Sequence, residues 1–99
     1  MTGSDTDFLV TLEQIIRQRI EDRPEGSYTA KLVARGNKRV AQKVGEEAIE
    51  LALATTDGDR DEQLAETADL IYHLLVLLVS NGISLGDVNE ILRQRHASA

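Results

Sequence analysis

Phe8, Leu9, Leu12, Ile15, Ile16 and Ile20 recur at three- and four-residue intervals, which lines them along one side of an α-helix spanning about 6–22. Pro24, Gly26 and Ser27 break that pattern, and 28–35 reads as a short helical turn that stops at Gly36. Val40, Val44 and Leu51 restore helical spacing over 37–55. The stretch TTDGD at 55–59 is a turn signal rich in helix caps, and a third long helix follows over about 61–80. Asn81 and Gly82 are suited to end it in a left-handed conformation, and Ser84 with Asp87 resembles a capping box opening a last helix to about His96. No strand-like alternation, internal repeat or linker interrupts this, so the expectation is an all-α domain of four to five helices over 6–97, preceded by a loose tail at 1–5.

The run LIYHLLVLLV at 70–79 is apolar nearly all round, whereas an amphipathic helix on a small monomer keeps one wet side. Cover for both faces is expected from a second copy of the chain, giving a helical bundle completed by homodimerisation. The same run is too short to cross a bilayer, and the start MTGSDTDF lacks the basic and apolar regions of a secretion signal. No membrane association is expected.

Composition narrows the function classes. Seventeen acidic residues against eleven basic ones leave a net charge of -6, unfavourable for nonspecific binding to nucleic acid or anionic lipid. Any polyanionic substrate needs a cation as mediator. There is no cysteine, which excludes disulfides, thiolate metal sites and thiol nucleophiles and agrees with a cytoplasmic location.

The candidate chemistry lies in two acidic clusters. Glu46, Glu47 and Glu50 occupy about a third of the circumference of the second long helix, with Lys43 in the same sector. Taken alone, they read as a solvated face with Lys43 supporting Glu47 one turn on. The next long helix alters that reading: Glu62, Glu66, Asp69 and His73 share a side that turns apolar at Val76 and Leu77. Carboxylates aimed where a helix enters the core suffer desolvation unless a cation answers them. Glu47 with Glu50, and Glu66 with Asp69, are pairs one turn apart, and two such helices packed antiparallel would converge their oxygens on one point. All-carboxylate surroundings suit Mg²⁺, with Mn²⁺ as a substitute, and Mg²⁺ commonly shares its shell with substrate phosphates.

Arg35, Lys38 and Lys43 lead into the acidic helix and are candidates for holding phosphate oxygens; Lys31 and Arg39 read equally well as ordinary surface charges. His73 reads as an interface residue or an outer partner of the ligands, with general base as the alternative. Tyr72 reads as a core residue with its hydroxyl at the edge, and His96 as a last-turn cation favoured by the helix dipole.

The stretches SYTAKL at 27–32, KVGEEAIE at 43–50 and ETADLIYH at 66–73 resemble the phosphoribosyl-ATP pyrophosphohydrolase family, a likeness covering about 8–96. The EExxE and ExxD pieces alone mark the wider MazG-like superfamily of all-α nucleoside triphosphate pyrophosphohydrolases. The resemblance implies a homodimeric, Mg²⁺-dependent, cytoplasmic enzyme that hydrolyses phosphoribosyl-ATP to phosphoribosyl-AMP and pyrophosphate, the second step of histidine biosynthesis. Carried over by position, Glu47, Glu50, Glu66 and Asp69 match the metal-binding acids. Glu46 matches the leading Glu of EExxE, as a further ligand or the group that orients the attacking water. A cyclohydrolase domain often precedes this one in the family; its lack here leads to the expectation of a monofunctional chain. Two other functions fit the same residues: a housecleaning pyrophosphohydrolase for noncanonical or deoxynucleotides, and a non-catalytic dimerisation module whose acids are merely solvated.

Overall fold

The computed structural model describes residues 4–97, and every regular element among them is helical: α1 (Ser4–Asp22), α2 (Tyr28–Ala34), α3 (Asn37–Asp57), α4 (Arg60–Ser80) and α5 (Leu85–Ala97). The all-α expectation holds. The helix α1 starts at Ser4, so Ser4 and Asp5, expected in a loose tail, are helical, and the rest of that tail lies outside the described residues. Backbone hydrogen bonding propagates readily into the polar SDTD stretch once the following turns are fixed by packing.

Local chemistry sets the boundaries. Ser27 caps α2 by accepting from the Ala30 amide at 3.1 Å, and Asp59 does the same for α4 from Glu62 at 3.1 Å. Between α3 and α4 the chain reverses on Gly58, whose φ of 77° is left-handed and closes α3 on the Ala54 and Thr55 carbonyls. At the end of α4 the left-handed residue is Gly82, at φ 73°, whereas Asn81 stays at φ -108°. Ser84 and Asp87 form the expected reciprocal box: each side chain accepts from the other's amide, both at 3.0 Å.

The helices α3 and α4 make an antiparallel hairpin. Its closed end is the Gly58 turn; its open end is held by Asn37 and Asn81, whose amides exchange hydrogen bonds of 2.8 and 3.1 Å. Against this hairpin lie α1 and the short α2, and the core forms where they meet: Ile16 of α1, Leu32 of α2, Val40 of α3, and Leu75 and Val76 of α4. Thus each of the first four helices contributes apolar area to one cluster. The last helix contributes no buried residue. Its first turn is gripped instead by Glu13 of α1, a buried carboxylate that accepts from the Leu85 amide at 2.7 Å.

As a whole, α4 has the length and apolar composition of a membrane-crossing helix, which the shorter 70–79 run did not suggest. The central helix of a bundle shares those properties, and α4 packs on α1, α2 and α3. Much apolar surface stays uncovered in the single chain: Ile49 is 63% exposed, Leu53 60% and Leu64 55%, on the outer side of the hairpin.

Candidate metal centre and its surroundings

Midway along the hairpin, Glu47 of α3 faces Glu66 and Asp69 of α4. One carboxylate oxygen from each lies within 4.8 Å of the others. The convergence follows from helix geometry, because Glu66 and Asp69 are one turn apart on a face that the antiparallel crossing turns towards α3. Glu47 is only 6% exposed, Glu66 half-buried and Asp69 exposed, so the trio opens outward from a buried floor.

Glu50 sits close enough to Glu66 for its charge to act on that carboxyl. Desolvation, then the charges of Glu50, Asp69 and Glu47, raise the Glu66 carboxyl above its ordinary 4.5. One Glu66 oxygen is buried without any hydrogen-bond partner. A buried, unpartnered oxygen amid clustered acids suits a cation, and the donor set, all hard carboxylate oxygen, fits a divalent one.

The nearest cation belongs to the protein. Lys43 places its Nζ 3.3 Å from Glu47 and 3.5 Å from Glu46. Burial lowers its pKa, but the hydrogen bond to Glu47 and the charges of Tyr28, Glu47 and Glu46 outweigh that and raise it. Glu46 does not join the trio: it turns to Lys43 and, at 3.6 Å, to Arg39. Adjacent helix positions differ by about 100°, which carries Glu46 around α3 from the face Glu47 uses. Arg35 and Lys38, expected at phosphate, are exposed and make no ion pair among the described residues. Of the residues singled out from sequence, then, Glu47, Glu66 and Asp69 come together with Glu50 alongside, Lys43 and Glu46 form the adjoining ion-pair network, and Arg35 and Lys38 lie further out.

His73 is buried and its partners are internal: Nδ1 meets the Asp69 carbonyl at 2.7 Å, and Nε2 meets the Tyr28 hydroxyl at 2.8 Å. Tyr72 borders the core and bonds through its hydroxyl to Thr29. His96 is exposed, with Nδ1 on the Leu92 carbonyl at 2.8 Å. The residue that sequence reasoning passed over is Tyr28. It was legible only as the opening of a short turn, although it lies inside the SYTAKL motif.

With this geometry in place, the chain matches the family model described as phosphoribosyl-ATP pyrophosphohydrolase over residues 9–96. The chain belongs to that family. It is 58% identical over 89 residues to the histidine biosynthesis bifunctional protein HisIE of Photobacterium profundum, covering 90% of this chain and 43% of that protein. The HisIE of Escherichia coli is 57% identical over 89 residues, with 90% and 44% covered. A phosphoribosyl-ATP pyrophosphatase of Metallosphaera sedula is 54% identical over 90 residues, with 91% and 97% covered. The chain therefore spans less than half the length of the bifunctional relatives and nearly all of the Metallosphaera protein. In this member of the family, Glu47, Glu66 and Asp69 form a cluster that could hold a metal ion.

Proposed function

We propose that this chain hydrolyses phosphoribosyl-ATP to phosphoribosyl-AMP and pyrophosphate with Mg²⁺, the second step of histidine biosynthesis, as a cytoplasmic homodimer. The observation that carries the reading is the convergence of Glu47, Glu66 and Asp69, with an unpartnered Glu66 oxygen, in a chain of this family.

Glu47, Glu66 and Asp69 are the ligands, and Glu50 completes the set from beside Glu66; Mn²⁺ serves as a substitute. The ion supplies charge compensation for the triphosphate and the departing pyrophosphate, and makes water easier to deprotonate. A protein carrying a net charge of -6 would otherwise repel its substrate. Glu46 stands outside the ligand trio and takes the proton of the attacking water. Its ion pairs with Arg39 and Lys43 fix its position for that role. Lys43, between the ligands and Glu46, and the exposed Lys38 and Arg35 at the mouth hold phosphate oxygens as the substrate arrives.

Support for the dimer comes from the uncovered Ile49, Leu53, Leu64 and Leu74, and from a radius of gyration of 15.0 Å. A compact chain of this length has about 13 Å.

Two measurements test the reading. Pyrophosphate release is expected from phosphoribosyl-ATP in preference to a panel of ribo- and deoxynucleoside triphosphates; a deoxynucleotide preference overturns the assignment in favour of housecleaning. Calorimetric Mg²⁺ titration is expected to show binding heat in the wild type and none in Glu47→Gln or Asp69→Asn. Equal heats in all three would leave a non-catalytic module as the answer.

A further inference from the structure

The acidic site has an aromatic wall. The chain has only two tyrosines, two histidines and no tryptophan, yet Tyr28, Tyr72 and His73 gather on one side of Asp69. His73 meets both rings edge-on, with centroids 5.7 Å from Tyr28 and 5.4 Å from Tyr72. Tyr72 is partly buried against the core, whereas Tyr28 is 50% exposed. It also lies near Lys43, whose Nζ is 3.3 Å from Glu47. A half-exposed ring thus stands near the acidic site, with its hydroxyl held by His73.

Hydrogen-bond chemistry fixes the direction of that tether. The Asp69 carbonyl can only accept, so the His73 Nδ1 carries the hydrogen and donates. In the neutral ring Nε2 is then a bare acceptor, and the Tyr28 hydroxyl donates to it. With its one hydrogen directed at His73, the phenol oxygen offers only lone pairs to anything bound nearby. A phosphate oxygen is itself an acceptor and gains nothing there. Sugar hydroxyls are donors, and the exposed carbon face of the ring suits a sugar's apolar edge.

We propose that Tyr28 is a specificity-determining residue whose oxygen accepts a hydrogen bond from a ribose hydroxyl of the bound nucleotide, with His73 as the positioning residue that aims it. The inference rests on the nucleotide-hydrolysing reading and extends it: the site selects nucleotides that carry this hydroxyl over analogues that lack it. A site with an acceptor placed for a hydroxyl rejects the analogue lacking it, because the acceptor loses both water and partner. For one neutral hydrogen bond the discrimination is about tenfold.

The test is an NMR titration of the full chain in Mg²⁺ buffer with AMP and with 2′,3′-dideoxy-AMP, following the ring resonances of Tyr28 and His73. The wild type is expected to bind AMP about tenfold more tightly. Tyr28→Phe keeps the ring and removes only the oxygen; it is expected to bring AMP down to the dideoxy level and leave dideoxy binding unchanged. His73→Gln, which retains an acceptor near Nε2, is expected to keep most of the preference, and His73→Leu to lose it. A merely structural histidine would shift both ligands together. Equal binding of the two ligands by the wild type overturns the proposal, as does an equal loss for both in Tyr28→Phe, which would assign the oxygen to phosphate or water. Should phosphoribosyl-ATP go unhydrolysed while the ribose preference and its loss in Tyr28→Phe persist, only the assigned substrate fails; turnover without ribose preference sinks only the role of Tyr28.

Discussion

Replacing Glu13 with Ala should detach α5 while leaving the rest of the bundle in place. Glu13 is 7% exposed and accepts from the Leu85 amide at 2.7 Å, reaching from α1 to the first turn of a helix that buries no residue of its own. A hydrogen bond to a charged acceptor is worth about 1.5–3 kcal/mol. A carboxylate at a helix N-terminus adds about 0.3–1 kcal/mol, much of it the same interaction counted from the dipole side. The ion pair with Arg17 adds little, since the atoms are 3.9 Å apart and the Arg17 side chain is 49% exposed. Truncation therefore costs about 2 kcal/mol, concentrated on α5. At 1.4 kcal/mol per factor of ten, the opening equilibrium of α5 shifts about thirtyfold. Native-state hydrogen exchange resolves this: amides of 85–97 should exchange about thirtyfold faster while those of α4 keep their protection. Glu13→Gln keeps an acceptor without the charge and should show about a fivefold effect. Unchanged exchange in α5, or acceleration spread evenly over all five helices, would refute the assignment of Glu13 as a local anchor.

Other outcomes follow from the same packing and charge arguments. Glu66→Gln should raise the melting temperature of the metal-free protein and abolish its further rise with Mg²⁺, read by thermal melts with and without the ion. Because the folded Glu66 carboxyl binds its proton more tightly than the unfolded one, its favourable contribution is full below 4.5 and is lost as pH rises through the raised value. The stability advantage of Glu66→Gln should accordingly grow across the mildly acidic range, and a constant difference would contradict that sign. Val76→Ala, at a fully buried core position, should cost ~2–3 kcal/mol in chemical denaturation through lost contacts and an unfilled cavity. Leu53→Glu changes a side chain 60% exposed in one chain. Sedimentation should show it as a monomer where the wild type runs as the proposed dimer, whereas an unaltered sedimentation coefficient would remove that face from the proposed interface.

What the sequence disclosed was whatever is decided within a few turns of one helix. Helix ends were legible because Ser27, Asp59 and the Ser84–Asp87 box act on amides three residues away. The acidic trio was legible for a related reason: the pairings within α3 and α4 follow from pitch, and only a short turn separates the helices. The fate of Glu46 was not, because a neighbour of Glu47 is displaced around the helix and the choice between cluster and Arg39 depends on where α4 crosses. Contacts over long separations were the hardest. Tyr28 reaches His73 across 45 positions and Glu13 reaches Leu85 across 72, and nothing in the local pattern around any of the four distinguishes these partners from others.

The reciprocal amides of Asn37 and Asn81 have a wider consequence. Fastened at its open end by these and at its closed end by Gly58, the α3–α4 pair is a clamp carrying all four acids. In the proposed function, the surrounding helices can therefore diverge, altering which organic group is admitted, without disturbing the acids proposed to handle the anhydride. A fold partitioned this way lets new substrates be acquired by remodelling the periphery, with the costliest part of the machinery inherited intact.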